Sequence, residues 1–127
     1  MKRLEQIESD FGKALKALEE ALSQAESDLE VDGAMQRFEF TYELFWKLLR
    51  AYLQQEGIVV NTPKECFKEA YGLGILNSED IALRMVDDRN LTVHLYDKET
   101  SREVFDRIKS LYIAFYREAF DSIRRRE

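Results

Sequence analysis

The sequence predicts an all-α protein, built as an antiparallel four-helix bundle with one short extra helix. Apolar residues recur every three or four positions over long stretches, which is typical of amphipathic helices. The 127 residues include only one proline and five glycines, so few helix breakers interrupt these stretches. No strand-like alternation or hairpin signal is present. The length fits one domain, which we expect to span residues 1–127.

Two long helices are predicted in the N-terminal half. The first carries an apolar stripe made of Leu4, Ile7, Phe11, Leu15, Leu18, Leu22 and Ala25. We expect a break over residues 28–33 and a second helix from about Val31 to Glu56, with Gly57 just beyond its end. The second helix is apolar on more than one face, which indicates a central position or a subunit interface.

The third helix is short, from about Pro63 to Tyr71. Thr62 is its predicted cap, proline suits the first helical position, and Glu65 completes a capping box. Gly72 and Gly74 are expected to end it.

A fourth helix is predicted to follow a cap at Asn77 or Ser78. Its apolar side is expected to consist of Ile81, Ala82, Met85, Val86 and Val93.

The last helix is predicted to start at a capping pattern at Thr100, or alternatively at Asp97, and to run to about Arg124. One apolar stripe contains Val104, Ile108, Leu111, Phe115 and Ala119, and a second contains Phe105, Tyr112, Tyr116 and Phe120. We assign one stripe to the core and the other to an interface. The surplus aromatic surface therefore predicts a homodimer.

Composition narrows the classes of function. The net charge of −6 argues against a broad nucleic-acid surface, so any RNA contact must be local. One cysteine, Cys66, and one histidine argue against a disulfide framework and a zinc site, and we expect no metal and no cofactor. The basic run Arg124–Arg126 is interpreted as a solvated tail. Without a signal-like or membrane-length apolar stretch, we expect a cytoplasmic protein that does not enter a membrane.

The polar residues of greatest chemical interest are Arg89, Asn90 and His94. On a helix, Asn90 and His94 would share a face, whereas the Arg89 side chain would have to reach round. Histidine exchanges a proton near neutral pH, arginine binds phosphate, and asparagine can orient a hydroxyl. These are the parts needed for metal-free RNA cleavage, in which a 2′-hydroxyl attacks the neighbouring phosphate.

Structural interpretations of the same residues stay open. His94 near a helix end can cap carbonyls, and Arg89 can pair with Asp87 or Asp88. The two aspartates can be read as a Mg²⁺ site, but neighbours on a helix diverge, so a solvated acidic turn is preferred. Trp46 can be read as a base-stacking platform, although its helical spacing favours core packing.

The segment Arg89–Tyr96 reads R-N-L-T-V-H-L-Y and resembles the R-x4-H-x-Y signature of the HEPN superfamily. Residues 36–47 are similar to the helix-two signature of one branch, the nucleotidyltransferase substrate-binding proteins. Thr62–Glu65 and Asp87–Asn90 also fit that branch. The resemblance covers nearly the whole chain.

The resemblance implies a dimeric four-helix core, with the Arg and His sites near the dimer cleft, and a minimal nucleotidyltransferase as partner. In one view, the helical protein presents nucleotide or substrate to that enzyme. In the other, the pair is a toxin–antitoxin system whose helical member is a metal-independent ribonuclease, silenced by addition of AMP to a tyrosine.

Carried onto this chain, the resemblance casts Arg89 and His94 as catalytic, Asn90 as their polar helper and Tyr96 as the AMP acceptor. Tyr96 would lie beside His94 if the chain there is extended; the alternative is an ordinary half-buried tyrosine. Glu39 and Glu43, one helical turn apart, can line the same cleft, with solvated or Arg-paired roles as the alternative.

Overall fold

The computed structural model describes residues 2–127 and is all-α, with no strand in that range. Its helices are α1 (Lys2–Gln24), α2 (Asp28–Gln55), α3 (Pro63–Gly72), α4 (Glu79–Leu91), a 3₁₀ turn (Thr92–His94), α5 (Lys98–Arg107), a π-helical turn (Ile108–Tyr112) and α6 (Ile113–Arg126). The predicted helical bundle is confirmed. None of the described helices has the length and apolar character needed to cross a membrane.

The junction of α1 and α2 differs from the prediction. The break expected over residues 28–33 is wrong, because α2 already begins at Asp28. Ser27 and Glu30 form a capping box: the Ser27 hydroxyl accepts from the Glu30 N–H at 3.2 Å, and the Glu30 carboxylate accepts from the Ser27 N–H at 3.0 Å. Gly33 therefore lies inside a helix, on its exposed side, and does not interrupt it.

Helices α2 and α3 end in the same kind of turn. Gly57 has φ 81°; its N–H donates to the Gln54 carbonyl, and the next N–H donates to the Leu53 carbonyl. This is a Schellman motif, which requires the left-handed conformation that glycine adopts without strain. Gly74, with φ 79°, makes the equivalent turn after α3. The predicted role of Gly57 is confirmed.

Helix α2 is central, as predicted, and contacts α1, α3, α4 and α5. Its side chain Phe45 lies fully buried among aromatic rings from the other helices. The ring centroids of Phe11, Phe67 and Tyr116 lie 4.8–5.7 Å from that of Phe45. Edge-to-face and tilted packing of this kind stabilises the centre of the bundle beyond the burial of area alone.

Both apolar stripes of the C-terminal helix pack against the core of this chain. Asp97 is the cap, since its carboxylate accepts from the Thr100 N–H at 3.3 Å, and the helix continues through the π-helical turn into α6. The sequence assigned one of the two stripes to an interface, but Ile108 from the first stripe and Tyr112 and Tyr116 from the second are all buried inside the chain. The division into a core stripe and an interface stripe was therefore wrong for these residues.

The basic run at the end of the chain belongs to the last turn of α6. The Arg126 guanidinium donates to the Leu73 carbonyl at 2.8 Å, and the Arg124 guanidinium lies 5.3 Å from the Phe120 ring centroid. All three arginines are exposed, as the prediction of a solvated end expects, and two of them also contact other parts of the chain.

Candidate functional site

A cavity of about 410 Å³ lies between α2, the start of α3 and the end of α4. It brings together three of the predicted site residues, Glu43, Arg89 and Asn90, from helices far apart in sequence. The rest of its wall is formed by Tyr42, Thr62, Pro63, Lys64 and Val86. The volume falls in the range typical of small-molecule sites.

Arg89 supplies a cation that no carboxylate neutralises among residues 2–127. Its Nη1 donates to the Thr92 hydroxyl at 3.3 Å, and that hydroxyl donates to the Arg89 carbonyl at 2.6 Å. Its Nε is buried and has no hydrogen-bond partner in the described chain. The alternative in which Arg89 pairs with Asp87 or Asp88 is wrong, and the guanidinium keeps donor capacity for an anion.

Asp88 is buried and belongs to a cluster that the sequence did not predict. Arg107 donates to both of its carboxylate oxygens, at 2.8 and 2.7 Å, and the Tyr112 hydroxyl donates to the same carboxylate. The expected solvated acidic turn is therefore wrong for Asp88, which is 2% exposed. The sequence does contain a signal for this burial. Met85 follows Ile81 by four residues and Asp88 follows Met85 by three, so Asp88 continues the apolar stripe of α4.

Burial, and then the hydrogen bond to Asp88, raise the pKa of the Tyr112 hydroxyl, so it stays protonated and donates at neutral pH. The bond to Asp88 raises the pKa of Arg107 as well. Together they fix the last turn of α4 against α5 and the π-helical turn. Since Arg89 is the next residue, this cluster also holds the start of the candidate site.

His94 and Tyr96 meet outside the cavity. The chain from Thr92 to Leu95 is helical in its dihedral angles, so the extended chain that would have placed Tyr96 beside His94 is not present. Asn90 and His94 do not share a continuous α-helical face either, because α4 ends at Leu91. The Tyr96 hydroxyl nevertheless lies 3.0 Å from His94 Nδ1, and their rings meet edge-on.

The exposure of this pair decides between the earlier alternatives. Tyr96 is 79% exposed, so the ordinary half-buried tyrosine is excluded. The His94 side chain contacts Tyr96 and makes no hydrogen bond to a carbonyl among the described residues, which excludes the capping role. The pair is accessible to a macromolecular partner.

The two glutamates of α2 that were predicted to line the cleft have different surroundings. Glu43 lines the cavity and accepts from the Trp46 indole N–H at 3.3 Å, whereas Glu39 does not line it. Trp46 packs against the core, and the Arg50 guanidinium lies 4.7 Å from its ring centroid. One face of the indole is therefore covered, which favours the packing role over base stacking.

Cys66 is unsuited to nucleophilic chemistry. Its thiol is buried and donates to the Trp46 carbonyl at 3.6 Å. Burial raises its pKa to about 12, so the reactive thiolate is essentially absent at neutral pH.

These features define a helical bundle protein whose polar residues gather where one helix ends, part of them in a cavity and part on the surface. A family model described as "Nucleotidyltransferase substrate binding protein like" matches residues 6–125, and the chain belongs to this family. The resemblance derived from the motifs is thereby confirmed.

Similar proteins support this family membership. A Haemophilus influenzae protein named "Probable ribonuclease HepT" is 34% identical over 93 residues, which are 68% of this chain and 62% of that protein. The match thus spans less than two thirds of the relative's length. A solved structure from Thermus thermophilus has 38% identity and a TM-score of 0.77, covering 91% of this chain and 97% of that one.

A second solved structure, from Haemophilus influenzae, is reported to reveal the fold of a substrate binding domain of a nucleotidyltransferase. It has 25% identity and a TM-score of 0.81, covering 92% of this chain and 98% of that one. The bundle described above is therefore the fold of this family.

Proposed function

We propose that this protein is the helical partner subunit of a minimal nucleotidyltransferase, in a toxin–antitoxin pair, and that it binds nucleotide or RNA at the end of α4. The observation that carries the proposal is the gathering of Arg89, Asn90 and Glu43 on one cavity. The exposed His94–Tyr96 pair follows within a few residues. Family membership supports the identity of the partner.

The subunit acts as a homodimer in this proposal. Leu91 at the end of α4 and Val93 inside the 3₁₀ turn are both exposed, and Val93 is 69% exposed although the sequence placed it on an apolar side. As exposed apolar side chains they suit contact with a second copy, beside the pair of His94 and Tyr96 and not over it. Val93→Glu should lower the mass measured by light scattering to that of a monomer. The equally exposed Val59→Glu is the control; a dimer that survives Val93→Glu contradicts this arrangement.

A second candidate activity is metal-independent ribonuclease cleavage. His94 would take the proton of the RNA 2′-hydroxyl, whose oxygen forms a bond to phosphorus while the bond from phosphorus to the 5′-oxygen breaks. The products are a 2′,3′-cyclic phosphate and a 5′-hydroxyl that takes its proton from water. Arg89 would stabilise the charge on the phosphoryl oxygens. The unpaired guanidinium and the accessible imidazole favour this activity.

Addition of AMP would silence that activity. The Tyr96 oxygen would bond to the α-phosphorus of ATP on the partner enzyme, and pyrophosphate would leave with the phenolic proton released to solvent. The modified oxygen has no proton to donate to His94, and the added anion would cover the imidazole. The 79% exposure of Tyr96 favours its access to the partner.

The decisive experiment is the intact mass of this protein after incubation with the nucleotidyltransferase and ATP. We expect a gain of one AMP, which Tyr96→Phe abolishes. Tyr71→Phe, at another exposed tyrosine, is the control and should keep the gain. A gain that persists in Tyr96→Phe refutes the acceptor, and failure of the two proteins to co-purify refutes the partnership.

The ribonuclease candidate has a separate test. Expression without the partner should slow growth, and His94→Ala should restore growth while circular dichroism shows an intact fold. Purified protein should cleave RNA in the presence of EDTA. Equal toxicity of His94→Ala and the unmodified protein would rule this mechanism out.

A further inference from the structure

The cavity at the end of α4 carries a second cation that the motif does not contain. Lys64, in the first turn of α3, lines the same cavity as Arg89. Among the described residues Lys64 forms neither an ion pair nor a side-chain hydrogen bond. Two cations without an ion-pair partner among the described residues thus face one cavity from two different helices.

The remaining lining residues offset only part of this positive charge. Glu43 is the single carboxylate in the lining, and it accepts a hydrogen bond from the Trp46 indole. The carboxylate of Glu65, which follows Lys64, accepts from the Asn61 N–H at 3.2 Å. The start of α3 adds its partial positive charge to that of the two side chains.

The other walls suit a nucleoside. Val86, Pro63 and the ring of Tyr42 provide apolar surface, and the Asn90 amide offers both a donor and an acceptor. Burial raises the pKa of Tyr42 to about 12, so its hydroxyl is protonated at neutral pH and can donate to an acceptor on the nucleoside.

We infer that Lys64 and Arg89 form a phosphate-binding subsite, in which this cavity takes the phosphate of a nucleotide while Tyr42 and Asn90 contact the nucleoside. The inference deepens the proposed function, on whose substrate class it rests. The phosphate can belong to a free mononucleotide or to an RNA backbone, and both present the same oxygens to the two cations.

Another cavity, of about 440 Å³, lies between α1 and α6 and supplies the matched control. Its lining has three cations, Lys13, Lys16 and Arg124, and two carboxylates, Glu5 and Glu8, so its net formal charge equals that of the cavity at the end of α4. Because the two cavities match in formal charge, Lys16→Ala tests whether a ligand uses the cavity between α1 and α6 instead.

Calorimetric titration of the full chain with AMP, with adenosine and with the RNA dinucleotide UpA tests the inference. Lys64→Ala should weaken AMP binding about tenfold, the loss of one charge-assisted phosphate contact. Adenosine binding should not change, and Lys68→Ala on the same helix should behave as the unmodified protein. If UpA shows the same loss as AMP, the subsite accepts backbone phosphate; if only AMP does, it is a mononucleotide site.

Equal AMP affinity of Lys64→Ala and the unmodified protein would overturn the inference, as would loss of binding in Lys16→Ala or no binding of either phosphate ligand. The outcome is independent of the proposed activities. Lys64-dependent binding without RNA cleavage or AMP transfer upholds the subsite and removes the proposed activities. Cleavage or transfer without any effect of Lys64 on binding does the reverse.

Discussion

Removal of the Asp88 carboxylate should destabilise the bundle by about 3 kcal/mol. The change Asp88→Ala leaves the Arg107 guanidinium without two short hydrogen bonds and the Tyr112 hydroxyl without an acceptor. Breaking a fully buried ion pair costs about 3–5 kcal/mol. The side chain of Arg107 is 21% exposed, so water partly replaces the lost partner, and the lower end of that range applies.

Milder substitutions remove only some of the hydrogen bonds of the Asp88 cluster and should therefore lower the free energy of unfolding by less. Asp88→Asn keeps one acceptor oxygen and should cost about half as much, while Tyr112→Phe removes only the hydroxyl and should cost about 1–2 kcal/mol. The double variant Asp88→Ala with Tyr112→Phe should cost less than the sum of the single changes, because both remove the same hydrogen bond.

Urea unfolding followed by far-ultraviolet circular dichroism at pH 7 measures these differences. The exposed neighbour provides the control, since Asp87→Ala should stay within about 0.5 kcal/mol of the unmodified protein. A loss below about 1 kcal/mol for Asp88→Ala, at an unchanged denaturant slope, would refute the reasoning. It would mean that the cluster adds little to the stability of the end of α4.

Three further predictions concern other parts of the chain. Cys66 should react with a thiol reagent at pH 8 only on unfolding, because burial raises its pKa to about 12; rapid labelling of the native protein would contradict this. Gly57→Ala, at φ 81°, should lower the free energy of unfolding by about 1 kcal/mol, whereas Gly33→Ala in the exposed interior of α2 should raise it by up to about 1 kcal/mol. Hydrogen bonds lower the folded pKa of Glu30 and of Asp97 below the ordinary values of 4.5 and 3.8. Their stabilisation is therefore complete above the unfolded pKa values and is lost as pH falls through the folded ones. Acid titrations of stability should flatten in Glu30→Gln with Asp97→Asn, and an unchanged profile would show that the caps do not contribute.

Local signals in the sequence predicted the helices well. The caps at Thr62 and Ser78 are confirmed, because a cap hydroxyl acts on a backbone N–H only three residues away. The capping box predicted at Thr62 is wrong, since the Glu65 carboxylate accepts from the Asn61 N–H and not from the Thr62 N–H. The start of α2 was misplaced because the capping box at Ser27 begins the helix before the expected break ends. Helical periodicity also predicted that Val93 lies on the apolar side of the fourth helix. The chain forms a 3₁₀ turn there instead, and Val93 is exposed.

The candidate site was predicted only in part. The motif named Arg89 and Asn90, and the structure joins them with Glu43 in a cavity while His94 lies outside its lining. Lys64 was missed because its position depends on how α3 packs beside α4. The partner of Asp88, nineteen residues further on, was missed for the same reason, since no local pattern records a tertiary contact.

The π-helical turn Ile108–Tyr112 has a consequence for insertions and deletions. In a regular α-helix two residues five apart point in directions roughly 140° apart, so Arg107 and Tyr112 could not both reach one carboxylate easily. The wider turn contains the one additional residue that brings both side chains onto Asp88. Deletion of a single residue from this turn would restore an ordinary helix and rotate all of α6 relative to α5. The length of the chain between residues 107 and 112 is therefore as constrained as the identity of the side chains at its ends.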